Sequence, residues 1–139
     1  MSGATAAPAV SAALQTFLAF DFGARRTGVA FGTRLLGSGT PQRTIVAEQA
    51  AARFAQVEQR IREWQPDALV VGVPCHPDGA PHENTVRALK FARQLRGRFG
   101  LPVFEVDERY STTSALQEGA RDADAASARI ILEQFLRSL

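Results

Sequence analysis

The feature that most constrains the fold is an uninterrupted apolar run, ALVVGVP, at residues 68–74. A strand with one face in water alternates apolar and polar side chains. This run has no polar position, as is typical of a parallel strand covered on both faces. Parallel neighbours need crossover connections, which are usually helices. The run therefore predicts the central strand of an α/β sheet.

Helical periodicity is found on both sides of this run. Apolar residues recur at intervals of three and four from about Ala47 to Trp64, and the same spacing resumes from Glu83 to Phe99. In the first helix, Arg53 and Arg60 fall between the apolar positions, so the pattern predicts them outside the buried face. The segment Pro74–Pro81 contains three prolines and predicts a loop.

Three extended segments precede the first helix. The run FLAFDF begins at Phe17 and brings Asp21 close to its end, and the run TGVAFG ends at Gly32. Together these two segments predict a β-hairpin. A third, weaker strand is expected within Leu35–Ile45, where glycine and proline interrupt the pattern.

The chain beyond Pro102 predicts one more strand, VFEV, with Asp107 and Glu108 at its end, and a closing helix from about Asp124 to Leu136. A brief helix is expected at Ser111–Gln117. Three early antiparallel strands followed by alternating helices and strands predict a mixed five-stranded sheet flanked by helices.

Length and composition indicate one domain. With 139 residues and 45% hydrophobic content, the chain can bury one core but is too short for two ordinary domains. We expect a single domain over residues 16–139, preceded at 1–15 by a disordered tail that lacks the pattern of a secretory signal. No run is long enough for a membrane span, and the single cysteine, Cys75, fits a reducing cytoplasm.

The overall charge balance does not indicate a partner. Sixteen basic and 14 acidic residues give a formal net charge of +2, far from the profile of a dedicated non-specific nucleic-acid binder. Lys90 is the only lysine, so any phosphate-binding surface must consist of arginine, which can contact phosphate through two parallel hydrogen bonds.

Acidic residues occur at predicted strand ends, where functional groups gather in such sheets. Asp21 closes the first strand, Asp107 and Glu108 close the last, and Asp122 or Asp124 begins the closing helix. Carboxylates are preferred ligands of Mg²⁺ and Mn²⁺, and two such ions about 4 Å apart assist in-line phosphodiester cleavage. Strand alternation sends Asp107 and Glu108 to opposite sides, so only one is expected to bind an ion. Taken singly, an acidic residue just past a strand end is more often solvated or a helix cap than a metal ligand.

Glycines and arginines surround the predicted hairpin turn. Gly23 and Gly28 bracket Arg25 and Arg26, so the turn could present two guanidinium groups to a phosphate. The alternative is an ordinary glycine-permitted turn with solvated arginines. Arg109, next to the acidic pair, could likewise contact phosphate or pair with a carboxylate.

Four segments in order resemble the YqgF/RuvX family of Holliday-junction-resolvase-like proteins: LAFDFGARRTGVAFG, VVGVPCHPDG, VFEVDERYSTTSA and DADAASARIILEQFL. The similarity covers nearly everything from Phe17 onward. It implies a ribonuclease H-like fold, a bacterial cytoplasmic location and a Mg²⁺- or Mn²⁺-dependent nuclease that matures the 5′ end of 16S ribosomal RNA. Carried over position by position, the implied catalytic and metal-binding residues are Asp21, Glu108 and Asp124, with Asp107 as an auxiliary acid.

One departure from the family pattern bears on substrate binding. The stretch between STTSA and DADAA is short here, and Arg121 is all that remains of a basic segment that many relatives carry. This departure implies either weaker binding of nucleic acid or a partner, such as a ribosomal precursor particle, that supplies affinity.

Other functions stay open from the sequence. Cleavage of branched DNA instead of structured RNA would require paired cuts and hence a symmetric dimer, which nothing in the sequence establishes. A non-catalytic, nucleic-acid-binding assembly factor would keep the fold without turnover. The DFG and GVA elements also resemble the phosphate-binding hairpin of actin-like ATPases, but those enzymes need two such lobes.

Overall fold

The structure, a computed structural model, describes residues 10–74, 83–108 and 123–139. In chain order, its elements are β1 (Thr16–Asp21), β2 (Arg26–Thr33), β3 (Gly39–Val46), α1 (Ala50–Trp64), β4 (Ala68–Pro74), α2 (Glu83–Phe99), β5 (Val103–Glu108) and α3 (Ala123–Arg137). The strands form one five-stranded sheet of order β3-β2-β1-β4-β5. Strands β1, β2 and β3 pair antiparallel, and β1, β4 and β5 pair parallel. The predicted mixed sheet is confirmed.

Strand β4 is buried from Ala68 to Val73 because helices cover both faces of the sheet. Alternate residues of the central strands point in opposite directions. Leu18 and Val71 belong to the core beneath α1 and α2, whereas Ala19 and Val70 belong to the core beneath α3. A polar side chain on either face of β4 would lose its contact with water, which explains the uninterrupted apolar run.

Two arginines contradict the predicted pattern of α1. Arg53 and Arg60 are only 7% and 5% exposed, and they lie on the buried side of the helix with Phe54 and Val57. Residues three and four apart share a helical face, and the long apolar stem of arginine can lie against a core. The prediction that these two arginines lie outside the buried face is therefore wrong.

The remaining differences concern boundaries. Strand β3 begins at Gly39, because Leu35 and Leu36 lie in the exposed turn that follows β2. The predicted helix at Ser111–Gln117 and residues 1–9 of the predicted tail lie outside the described residues. Within the described part, no helix has the length and hydropathy needed to cross a membrane.

Candidate active site at the carboxyl edge of the sheet

The carboxyl ends of three parallel strands form one edge of the sheet. Strand β1 ends there at Asp21, β4 at Pro74 and β5 at Glu108. In the register of the sheet, position 108 lies directly opposite Pro74. Strands β1 and β5 are separated only by β4, so their backbones are about 10 Å apart. The edge therefore brings two of the predicted acidic positions into the same region.

Gly28 brings Asp124 to this edge. It is the register partner of Asp21 across the β1–β2 ladder. A Cβ atom built on Gly28 would overlap the backbone carbonyl of Asp124 and come within 3.2 Å of the amide nitrogen of Ala125. Only glycine lets the first turn of α3 approach the sheet this closely. Since register partners point to the same face, Asp21 and the first turn of α3 lie together.

Asp124 is held by an ion pair with Arg26. The Nε atom of Arg26 donates to the Oδ2 atom of Asp124 over 2.6 Å, and the two side chains are 52% and 34% exposed. Asp124 is also the acidic residue in the first turn of α3, where the helix dipole favours negative charge. Arg26, predicted to contact phosphate, thus contacts one of the predicted metal ligands.

Asp107 points away from Asp124. Its neighbours in β5, Phe104 and Val106, pack against the core beneath α3, whereas Val103 belongs to the core beneath α1 and α2. The two-residue period of a strand therefore places Asp107 on the α1/α2 face, where it is exposed. Position 108 is next along the strand. Its side chain, and the whole of Arg109, lie outside what the structure describes.

The described side chains alone do not complete a metal site. Among them, no three His, Cys, Asp or Glu residues come close enough together to hold an ion. Asp21 and Asp124 nevertheless supply hard carboxylate oxygens at one place, which is the donor type that Mg²⁺ and Mn²⁺ prefer. The donor chemistry of these two residues fits such an ion.

Arg25 lies in the same turn with its side chain largely in water. Its Nε atom is 3.7 Å from the Oε1 atom of Glu48, and the two side chains are 81% and 76% exposed. Ion pairs this exposed contribute about 0–1 kcal/mol, so Glu48 competes only weakly for this guanidinium group. Arg25 can therefore exchange its carboxylate partner for a phosphate at little cost.

Arg53 is a residue of the site that the sequence pattern missed. Its Nη2 atom donates to the carbonyl oxygens of Ala24 at 2.6 Å and Ala47 at 3.3 Å. Its guanidinium carbon also lies 4.9 Å from the centroid of the Phe22 ring. Burial lowers the pKa of Arg53 from its ordinary value, yet that value is so high that the group stays charged. Arg53 thus anchors the turn between Asp21 and Arg26 from below.

The periodicity contained a signal for Arg53. Position 53 is four residues before Val57, so both occupy the same helical face. An apolar pattern treats arginine as a surface residue, so the pattern does not predict this burial. The burial of Arg53 depends on backbone carbonyls that only the folded turn places within reach.

Two helices begin at this edge and direct the positive ends of their dipoles toward it. The Thr85 hydroxyl in the first turn of α2 donates to the carbonyl of Pro74, and the first turn of α3 lies on Gly28. Unpaired amide groups at helix N-termini favour nearby anions. The edge therefore combines carboxylates suited to a cation with helix ends suited to a phosphate.

Comparison with known proteins agrees with this architecture. Residues 15–138 match the family model described as RuvX, Holliday junction resolvase, and the chain belongs to that family. A relative from Polaromonas sp. (strain JS666), provisionally named pre-16S rRNA nuclease, is 72% identical over 134 residues and 96% of each chain. One from Albidiferax ferrireducens with the same provisional name is 69% identical over 94% of this chain and 83% of its own length.

A solved structure shows the same fold at low sequence identity. RuvC from T. thermophilus, in complex with a Holliday junction substrate, superposes with a TM-score of 0.55 at 14% identity, covering 89% of this chain and 94% of RuvC. Such a likeness defines the fold, which is ribonuclease H-like, as the sequence resemblance predicted.

Proposed function

We propose that this chain is a metal-dependent nuclease that cleaves phosphodiester bonds in structured RNA and processes the 5′ end of precursor 16S rRNA. The observation that carries the proposal is the contact of Gly28 with α3. This contact joins Asp124 to Asp21 at the edge where β5 ends in an acidic pair. The provisional name shared by the two relatives supports RNA as the substrate.

In this proposal, Asp21, Glu108 and Asp124 hold Mg²⁺ or Mn²⁺. Bound ions of this kind stabilise charge on the attacking and leaving oxygens of an in-line displacement. The exposed Asp107 lies on the opposite face of β5, so we assign the ligand role to position 108. Glutamate is one methylene longer than aspartate, which suits a ligand on the strand farther from Asp21.

The remaining roles belong to arginines. Arg26 orients Asp124 through the 2.6 Å contact and neutralises part of the acidic charge. Arg25 and Arg109 contact the phosphates beside the scissile bond, which positions the backbone without reading its sequence. We place the reaction in the bacterial cytoplasm, on precursor particles of the small ribosomal subunit.

The first test is cleavage of a precursor 16S rRNA fragment in Mg²⁺ or Mn²⁺ by the wild type and by Asp21→Asn. This substitution removes a ligand charge while conserving shape, so cleavage should be lost and the thermal unfolding curve retained. Glu58→Gln is the matched control, because Glu58 is an acid of α1 paired with Arg62. Full activity of Asp21→Asn would disprove the proposed site.

Branched DNA is a second candidate substrate, favoured by the family description. A synthetic four-way junction run beside the RNA in the same assay decides between them. Resolution by paired cuts should be accompanied by a dimer in sedimentation. Metal-independent binding of RNA with no cleavage of either substrate would instead indicate an assembly factor.

A further inference from the structure

Helix α2 has a much higher density of positive charge than the chain as a whole. Between Asn84 and Phe99 there are five basic residues and no acidic residue, whereas the whole chain has a formal net charge of only +2. The rest of the chain is therefore net negative. A single-sign segment of this kind is typical of a surface that binds a polyanion.

Two of these five residues are used within the fold. Arg96 donates to the carbonyl of Val103 at 2.8 Å and to the carboxylate of Glu105 at 3.2 Å. The guanidinium carbon of Arg98 lies 4.1 Å from the centroid of the Phe54 ring. Both groups tie the last turns of α2 to neighbouring elements.

The other three cations form a row on the outer face of α2. Arg87, Lys90 and Arg93 are exposed, and Arg87 has only a 3.5 Å contact with the amide oxygen of Asn84. Within the ranges that the structure describes, none of the three has an ion pair with a carboxylate. In the other described helices, by contrast, Arg62 pairs with Glu58 and Arg129 with Glu133.

The row begins at the edge that holds the candidate active site. The Thr85 hydroxyl donates to the carbonyl of Pro74, which is the register partner of position 108. With a helical rise of about 1.5 Å per residue, Arg87 and Arg93 are about 9 Å apart along the axis. At this spacing, each of the three cations can contact a different phosphate of one RNA strand.

We propose that Arg87, Lys90 and Arg93 bind the sugar-phosphate backbone of the RNA substrate on one side of the cleavage site. This inference rests on the proposed nuclease function and adds the surface over which the substrate extends. The contacts are with phosphates and independent of sequence. They compensate for the short basic segment before Asp124, which the family resemblance marked as a departure.

The test is the salt dependence of RNA binding. Arg87→Gln, Lys90→Gln and Arg93→Gln are combined in full-length protein that carries Asp21→Asn, because glutamine keeps helix propensity and Asp21→Asn prevents cleavage. Binding of a labelled precursor 16S fragment is followed by fluorescence anisotropy across a salt series. The slope of log K against log salt should become shallower by about 2–3, since each lost phosphate contact removes roughly 0.7–0.9.

The matched control removes three positive charges from other elements of the fold. Arg43, Arg62 and Arg137 are exposed cations on β3, α1 and the last turn of α3. Their triple exchange to glutamine should leave the slope within about half a unit of the parent, which is less than one phosphate contact. An equal change in the control would show a general charge effect and overturn the assignment to α2.

Kinetics with Asp21 restored provide a second readout. For the long RNA, the α2 triple variant should raise KM and leave kcat unchanged, because the lost contacts are equal in ground and transition states. For the shortest fragment that is still cleaved, KM should not change.

The outcomes separate the two proposals. If the parent protein binds neither the RNA nor the DNA junction at low salt, the nuclease proposal fails and this inference fails with it. If the parent binds RNA but the α2 variant keeps its slope and KM, only this inference is wrong, and the cations of α2 would then suit an acidic protein surface.

Discussion

The two faces of the sheet are covered in different ways. On one face, α3 lies directly on β2 and β3, where glycines remove the side chains that would separate them, while Phe17, Phe104 and Phe135 pack together farther from the candidate site. A Cβ atom on Gly32 would come within 2.9 Å of the Leu132 side chain, and one on Gly39 within 3.2 Å. On the other face, aromatic rings fill the space beneath α1 and α2. Phe91 contacts Phe20 and Phe54, with ring centroids 5.9 and 5.7 Å apart.

The difference shows which face of the sheet fixes the relative positions of the site residues. At Gly28 the backbones of β2 and α3 are in direct contact, with no flexible side chain between them, so the position of Asp124 relative to Asp21 follows from the fold itself. A layer of large side chains contributes more burial and tolerates more rearrangement. We therefore expect the α1/α2 face to govern stability and the α3 face to govern activity.

The largest effect on stability is expected from Leu95→Ala. Leu95 lies on the buried face of α2 and is fully buried. Leucine-to-alanine changes in cores lower the free energy of unfolding by about 2–5 kcal/mol. Urea unfolding measures the loss. Below the unfolding transition, kcat per folded molecule should match the wild type, and a large fall in kcat would contradict the division between the faces.

Compared with Leu95→Ala, Gly28→Ala should have a smaller effect on stability and a much larger effect on the rate of cleavage. The new methyl group would push the first turn of α3 off the sheet, at a stability cost of about 1–3 kcal/mol. A displacement of about 1 Å at a catalytic group can cost on the order of 100-fold in rate. Cleavage assays on the folded fraction measure this effect. Gly97→Ala on α2, where a Cβ meets no atom within 4 Å, is the control and should keep full activity.

Arg53→Met tests a part of the α1/α2 face that reaches the site. It removes charge-assisted hydrogen bonds to Ala24 and Ala47, with an expected cost of about 1.5–3 kcal/mol. The turn bearing Arg25 should then move more freely, and kcat for RNA cleavage should fall. Arg60→Met removes another buried arginine farther along α1, so it should change unfolding without changing kcat. Equal kcat in the two variants would exclude a positioning role for Arg53.

The smallest effect is expected at the opposite end of the sheet. Backbone amides of Gln15 and Thr16 donate to Asp67 and lower the pKa of its carboxyl group. A lowered pKa in the folded state stabilises the protein above the unfolded-state pKa of about 4, and this stability disappears as the pH falls through the lower folded value. In acid-unfolding curves, Asp67→Asn should therefore weaken the pH dependence below about pH 4. An unchanged curve would assign the acid sensitivity to other groups.

Much of the fold could be predicted because its signals are local. The apolar run of β4 and the helical spacing around Phe91 each follow from a periodicity that a single segment carries. The strand-end positions of Asp21 and Glu108 follow as well, because parallel strands share an edge. The family resemblance singled out Asp124.

Other features depend on contacts between segments that are distant in sequence. Arg53 and Arg60 were expected outside the buried face of α1, because their burial depends on neighbouring elements that are distant in sequence. The 2.6 Å pair between Arg26 and Asp124 joins residues 98 positions apart. Sequence indicated that both residues belonged near the site, and only the folded chain shows that they pair with each other.

By itself, the sequence determined the order and type of the elements and the presence of acids at the strand ends, since side-chain periodicity is a property of each segment. Only the tertiary structure decided that Asp107 lies on the face away from α3. Only it placed Gly28 beneath Asp124 and made α2 a cationic surface that starts at the site. These are relations between segments, and they exist only once packing has set the distance and orientation of each element relative to the others.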